Sequence, residues 1–170
     1  VMEQLRRHAP RAPRMLDVGC GTGRLLEAAA QCYPLVVGLD PCLEMLDVAR
    51  ARSTSPGTGL MCAMAERLPF GTGTFDVVTS TLSLRHWKDP TLGLEELARV
   101  LSKTGTMVIA DAPPDPWPVF RRRLRKRRET GGRLRQIAVR GGLTVIDERI
   151  APSLFAVQVL TACHQRPRAG

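Results

Sequence analysis

Short apolar runs alternate with longer amphipathic stretches along most of the chain. The apolar runs predict five strands, at residues 14–18, 35–39, 60–63, 75–80 and 105–111. Two helices are predicted over residues 24–31 and 41–52. A third begins at Asp89, because Asp followed by Pro90 is typical of a helix N-cap and first turn. Residues 53–59 are a loop by composition. This alternation predicts an α/β fold with helices on both faces of a parallel sheet.

The C-terminal third predicts a different arrangement. A basic helix is expected over residues 118–140, followed by strands at 143–150 and 153–164 that are joined by a tight turn near Pro152. A hairpin of this kind makes the last strand pair antiparallel. No repeat or low-complexity linker interrupts the 170 residues, so we expect a single domain over residues 1–170. Since only about fifteen residues precede the first strand, we expect a short N-terminal cover over the ligand site.

The net charge of +9 is concentrated in one segment. Residues 117–140 contain nine Arg, one Lys and one Glu, and the rest of the chain is neutral overall. The run RRRLRKRR at residues 121–128 fits either of two interpretations, a phosphate-binding surface for RNA or a solvated helix face. Aromatic residues make up only 4% of the chain and none lies within the run, which favours the solvated face.

The cysteines and the hydropathy pattern narrow the setting. Five cysteines, an odd number with no CxxC pair, argue against a disulfide framework and against a zinc site. No apolar stretch approaches the ~20 residues of a membrane span, and residues 1–14 lack the apolar core of a signal peptide. We therefore expect a cytoplasmic protein with no metal and no membrane partner.

The clearest chemical signal is LDVGCGTG at residues 16–23, where a strand ends and a helix begins. Glycines at 19, 21 and 23 allow a sharp turn and a close approach of the backbone to a ligand. A dinucleotide fingerprint needs G-x-G-x-x-G, but the place of its third glycine is held by Arg24. Asp17 is poorly suited to a pyrophosphate. It suits a cationic ligand such as S-adenosylmethionine (SAM), which carries an ammonium and a sulfonium group.

Asp40 is the second candidate. It ends the second strand, 23 residues after Asp17, and a carboxylate there can accept hydrogen bonds from ribose hydroxyls. The alternative is that Asp40 only caps the following helix. The ligand role is favoured, because the glycine turn lies at the correct distance upstream.

Five segments in order, LDVGCGTG, VVGLD, AERLPFGTGTFDVV, LRHWKDP and ELARVL, resemble the class I SAM-dependent methyltransferases related to those of ubiquinone and menaquinone biosynthesis. The resemblance covers about residues 14–112. It implies a Rossmann-like, doubly wound, seven-stranded sheet of order 3-2-1-4-5-7-6 with strand 7 antiparallel. SAM would then lie across the ends of the first, second and fourth strands.

The resemblance also assigns residue roles. Asp17 and the glycine loop would hold the methionine part of SAM, Asp40 the ribose, and residues 64–66 the adenine, while the Ser80 carbonyl would meet the amino group. Family members carry an acid where this chain has Met64, and a thioether accepts hydrogen bonds only weakly. A backbone N–H of residue 65 or 66 would still serve a ring nitrogen. The full cofactor set is Asp17, Gly19, Cys20, Gly21, Gly23, Asp40, Pro41, Met45, Met64, Ala65, Glu66 and Ser80.

Methyl transfer is an in-line displacement at a sulfonium carbon, so the main task of the enzyme is alignment. An oxygen or nitrogen acceptor also needs a base, for which His86 is the best candidate, the alternative being a structural role. Arg85, Trp87 and Asp111 are assigned to the acceptor side, although Trp87 also fits a packing role and Asp111 a turn cap.

The sequence thus predicts an enzyme that methylates a small molecule. The alternatives are an RNA methyltransferase that uses residues 121–128, a SAM-binding module without catalysis, and a nicotinamide-dependent oxidoreductase. Asp17 and Arg24 argue against the last of these.

Overall fold

The computed structural model describes residues 1–53, 55–111, 135–136, 138–139, 143–151 and 157–164. A 3-10 turn at Leu84–His86 lies between β4 and α4. In chain order the elements are α1 (Met2–His8), β1 (Arg14–Val18), α2 (Arg24–Ala29), β2 (Leu35–Asp40), α3 (Leu43–Arg52), β3 (Thr58–Cys62), β4 (Phe75–Thr81), α4 (Pro90–Val100), β5 (Leu101–Asp111), β6 (Leu143–Ala151) and β7 (Val157–His164).

The seven strands form one sheet in the order β3-β2-β1-β4-β5-β7-β6. Strands β1 to β5 pair in parallel, and β7 pairs antiparallel with both β5 and β6. Leu16 of β1 lies between Val37 of β2 and Val78 of β4. The predicted α/β fold and strand order are confirmed. The central strands are nearly continuous apolar runs because helices cover both of their faces.

Several boundaries differ from the prediction. β3 begins at Thr58, inside the segment predicted as a loop, because this edge strand is only half buried and needs no apolar run. β5 begins at Leu101, and the register with β4 shifts between Phe75 and Val77. α2 ends at Ala29, and helix α1 was not predicted. The predicted turn near Pro152 and the basic helix lie outside the described residues, apart from helical positions 135–136 and 138–139.

Two apolar clusters cover the two faces of the sheet. Alternate residues of β1 contribute to the two clusters, since Leu16 and Val18 point to one face and Met15 to the other. On the first face the buried stripe of α4 packs, with Leu97 fully buried. On the second face Leu26 of α2 packs beside β1.

Helix α1 packs on the face of the second cluster, where Leu5 is fully buried. The side chain of Gln4 lies 3.3 Å from the Thr161 hydroxyl of β7, and Arg149 of β6 pairs with Glu3 at 3.2 Å. These contacts join the start of the chain to the C-terminal hairpin. Whether α1 covers the ligand site stays a prediction. In the part of the chain that the structure describes, no helix has the length and hydrophobicity needed to cross a membrane.

Gly38 allows α2 and the loop after β1 to lie close to β2. A Cβ at Gly38 would overlap the side chains of Leu26, Cys20 and Leu60. Gly59 on β3 offers a contrast, because a Cβ there would make one ordinary contact, 3.8 Å from Val37.

We expect Gly38→Ala to lower the free energy of unfolding by about 1–3 kcal/mol, because the added methyl group overpacks the interface between α2 and the sheet. The matched variant Gly59→Ala should change it by less than about 0.5 kcal/mol. Urea denaturation of both variants measures the difference. Equal effects would show that space at Gly38 does not limit the packing.

Candidate cofactor and acceptor site

The carboxyl ends of the parallel strands meet along one edge of the sheet. β1 lies at the point where the strand order reverses, with β2 on one side and β4 on the other. Ligands of open α/β sheets bind at this switch point. The residues that end the strands there are Val18, Asp40, Cys62, Thr81 and Asp111.

The glycine loop after β1 folds back over the end of β2. The N–H groups of Gly19 and Cys20 donate to the carbonyl of Leu39 at 2.7 and 3.0 Å. Gly19, Gly21 and Gly23 have φ values of +73°, +52° and +77°, in the left-handed region that disfavours side chains. A Cβ at Gly21 would meet no described atom within 4 Å, so this glycine faces open space.

Asp17 lies within β1, under this loop. The residue is only 2% exposed, and its Oδ1 accepts a hydrogen bond of 2.7 Å from the Thr79 hydroxyl of β4. Burial raises the pKa of Asp17 from 3.8 to about 7; the hydrogen bond from Thr79 opposes this rise, and the charge of Asp40 adds to it. A carboxyl group in this state is stabilised as an anion by a cation placed beside it.

Asp40 connects β2 to the glycine loop. Its Oδ2 accepts a 2.9 Å hydrogen bond from the N–H of Gly21, and its Oδ1 accepts one of the same length from the N–H of Cys42. The second bond lies in the turn before α3, whose N-cap residue is Cys42, so Asp40 does not cap the helix as the alternative proposed. The first bond ties Asp40 to the glycine loop. Each carboxylate oxygen keeps a second lone pair, so further hydroxyl donors can be accepted.

The segment after β3 lies beside Asp40, because Cys62 is paired in register with it. Met64 has an exposed side chain, whereas Ala65 is buried. The Oε1 of Glu66 accepts a 3.1 Å hydrogen bond from the N–H of Asp89, at the start of α4. The other oxygen, Oε2, is buried and has no hydrogen-bond partner among the described residues.

A pair of serines at the end of β4 supports the glycine loop from below. The hydroxyls of Ser80 and Ser83 lie 2.5 Å apart, and Ser83 donates to the carbonyl of Val18 at 3.3 Å. A Cβ on Gly19 would overlap the Ser83 side chain. Ser83 was not predicted from the sequence, because only the pairing of β1 with β4 places it under the loop.

The predicted acceptor residues lie in the segment after β4 and at the end of β5. Asp111 accepts a 2.9 Å hydrogen bond from the N–H of Leu84, so its carboxylate holds the backbone of the turn that presents Arg85 and His86. The side chains of Arg85 and His86 are exposed, and Arg85 Nε lies 3.0 Å from His86 Nε2. Trp87 packs against the apolar core beside Gly93, in agreement with its packing role.

The remaining predicted ligand residues are spread around this edge. Cys20 is buried in the loop, and burial raises the pKa of its thiol, so it stays protonated. Pro41 is exposed after β2, and Met45 is exposed on α3, one position before the buried Leu46. Their contacts with a cofactor stay predictions.

The sequence of residues 16–109, more than half of the chain, matches the methyltransferase domain family. The chain belongs to this family. The resemblance carried by the motifs is therefore confirmed, and the nicotinamide-dependent oxidoreductase alternative is disfavoured.

Relatives of this methyltransferase domain include a demethylmenaquinone methyltransferase of Deinococcus radiodurans, 37% identical over 119 residues, which is 66% of this chain and 48% of that protein. An uncharacterized methyltransferase of Mycobacterium tuberculosis is 35% identical over 144 residues, 85% of this chain and 54% of that protein. The chain spans about half the length of the curated relatives it matches. The YcgJ protein of Bacillus subtilis shares the fold, with a TM-score of 0.77 at 16% identity and 98% coverage of both chains.

Asp17 gives the methyltransferase domain a pH-dependent stability. Since its pKa is raised above the ordinary value of 3.8 to about 7, the folded protein binds more protons than the unfolded chain between these values. The contribution of Asp17 to the free energy of unfolding therefore falls as the pH rises through this window, and it becomes constant above it.

We expect the stability of the wild type relative to Asp17→Asn to fall by about 1 kcal/mol per pH unit between about pH 5 and 7. Urea denaturation at several pH values measures this difference. The matched control is Asp76→Asn. Because Arg14 lowers the pKa of Asp76, this carboxylate is ionised in both the folded and the unfolded protein over this pH range. A flat profile for Asp17 would contradict the buried, protonated carboxyl group.

Proposed function

We propose that this chain is a SAM-dependent methyltransferase that transfers a methyl group to a small-molecule acceptor. The observation that carries the proposal is the pairing of two carboxylates with the glycine loop at the switch point of the sheet. Asp17 is a buried acid that a cation would ionise, and Asp40 reaches the same loop through Gly21. A cationic amino acid joined to a ribose fits this pair.

The residues present fit such a cofactor. A Cβ at Gly21 would meet open space, so the methionine part could lie against the loop there. Cys20 and Gly23 would complete this part of the site, and the Ser80 carbonyl would accept from the amino group. Asp40 has the lone pairs to accept two ribose hydroxyls.

The adenine would lie on the segment after β3. The walls of the adenine site would be Met64 and Met45, both with exposed side chains, together with Pro41. The N–H of Ala65 or Glu66 would donate to a ring nitrogen. Oε2 of Glu66 is buried and has no hydrogen-bond partner among the described residues, so this segment holds an oxygen that can accept a further hydrogen bond.

SAM supplies a methyl group on a positively charged sulfur, and the chain holds the acceptor in line with it. His86 would take the proton that the acceptor atom, whether oxygen, nitrogen or carbon, loses on methylation. Arg85 Nε lies 3.0 Å from His86 Nε2, so Arg85 would have to move before that nitrogen could accept a proton. Because both side chains are exposed, Arg85 can turn away when the acceptor arrives.

Two observations support a small-molecule acceptor. Relatives from Deinococcus radiodurans and Clavibacter sepedonicus are named for demethylmenaquinone. The acceptor side of the edge also exposes Leu82, which has a φ of +55° after β4. A left-handed, non-glycine residue at a strand end is typical of functional sites, and its side chain would form an apolar wall.

Titration calorimetry tests the cofactor. We expect micromolar binding of SAM and S-adenosylhomocysteine and no binding of NADH. Asp17 must be ionised and the SAM amine protonated for the two groups to pair. With a pKa of about 7 for Asp17 and an amine pKa near 8, SAM affinity should be roughly sixfold weaker at about pH 6 than at about pH 7.5. Asp17→Asn should bind weakly and without this pH dependence, whereas Asp47→Asn, on the exposed face of α3, should behave like the wild type. Absence of SAM binding would overturn the proposal.

The acceptor is tested by S-adenosylhomocysteine release with demethylmenaquinone and with total RNA as substrates. We expect turnover of the small molecule, and His86→Gln should lower kcat by about 10²–10⁴-fold with the SAM affinity unchanged. Turnover of RNA alone, with a strong salt dependence, would favour the RNA alternative. SAM binding without turnover of either would favour a non-catalytic module.

A further inference from the structure

The segment between β3 and β4 is fixed to α4 by an ion pair. Glu96 Oε2 accepts a 2.9 Å hydrogen bond from the N–H of Leu68. Arg99 donates to the carbonyl of Leu68 at 3.1 Å and to the carbonyl of Phe70 at 2.8 Å. Both backbone groups of Leu68 are thus held by one pair of side chains.

The two side chains also hold each other. Arg99 Nε and Nη2 lie 2.6 and 2.7 Å from the two oxygens of Glu96. This bidentate contact uses the flat fork of the guanidinium group, and the same group reaches two carbonyls with its remaining donors. A lysine ammonium group has three donors on one atom and cannot make this set of contacts.

The pair acts at a distance from the ligand edge. At the ligand end of α4, the N–H of its N-cap residue Asp89 donates to Glu66. Arg99 lies in the last turn of the helix, about 15 Å away along the axis at 1.5 Å per residue. The segment from Glu66 to Phe70 therefore runs along α4 and is attached at both ends. The glycine loop and Asp40 belong instead to β1 and β2.

We propose that Glu96 and Arg99 are positioning residues that set the backbone of Met64–Glu66 against the adenine of the cofactor. The inference rests on the proposed function. Recognition there depends on a backbone N–H, because Met64 is a weak acceptor. A backbone donor cannot adjust by rotation of a side chain, so its place depends on how the segment is held.

The test compares S-adenosylhomocysteine with its inosine analogue, in which N1 carries a hydrogen and cannot accept from the backbone N–H. By calorimetry, the wild type should bind the adenine form roughly tenfold more tightly, since the analogue leaves a donor unpaired. Arg99→Lys keeps the positive charge but loses the bidentate contact of the guanidinium group with Glu96. We expect the ratio of the two affinities to fall to about twofold. Because it is a ratio, a general loss of folded protein does not change it.

The chain offers a matched control. Arg14 makes a similar bidentate contact with Asp76, at 2.9 and 3.1 Å, at the opposite edge of the sheet where β1 and β4 begin. Arg14→Lys should also lower the melting temperature, but it should leave the affinity ratio at the wild-type value.

The outcomes separate the two proposals. If the wild type binds neither ligand, the proposed function fails and the inference fails with it. If the wild type discriminates and Arg99→Lys keeps the full ratio, the function stands and the positioning role is wrong. A reduced ratio in Arg14→Lys would also overturn it, because loss of discrimination would then follow from destabilisation alone.

Discussion

The fold of the site depends on the hydrogen bonds that join the loop after β1 to the end of β2. The N–H groups of Gly19 and Cys20 share the Leu39 carbonyl, and that of Gly21 donates to Asp40. This arrangement requires left-handed backbone at Gly19 and Gly21, which only glycine adopts without strain. When this turn has formed, α2 begins directly after it and packs on the sheet, and the carboxylate of Asp40 is fixed beside the loop.

Burial of the Asp17 carboxyl group has opposite effects on the stability of the fold and on the proposed binding of a cation. Burial without a cation makes its ionised form costly, which is why its pKa lies near 7 rather than 3.8. The same burial strengthens its attraction to a positively charged ligand, because little water screens the interaction. A stabilising substitution at Asp17 is therefore expected to remove the charge that the proposed cationic ligand would need.

The segments around the edge are held by very different means. Backbone hydrogen bonds fix the glycine loop, a serine pair supports it at Ser83, and the Asp111 carboxylate holds the turn after β4. The segment after β3 is attached to α4. A ligand at this edge would contact parts of the chain that are each held by separate contacts. A mutation of one of these contacts, even far from the edge, would therefore shift the segment that it holds.

The sequence by itself determined the strand pattern, the glycine loop and the places of Asp17 and Asp40 along the chain. These depend on local rules: apolar runs for buried strands, glycine for left-handed backbone, and an acid at or next to the end of a strand. It also gave the strand order, through the resemblance of its motifs. The sequence did not predict the start of β3, since a half-buried edge strand has no apolar run. Nor did it reveal Ser83, the hold of Asp111 on Leu84, or the contact of Arg99 with Leu68. Only the tertiary structure decided these, because each joins residues far apart in the chain, and no local pattern records which of many polar side chains will meet after the sheet has formed.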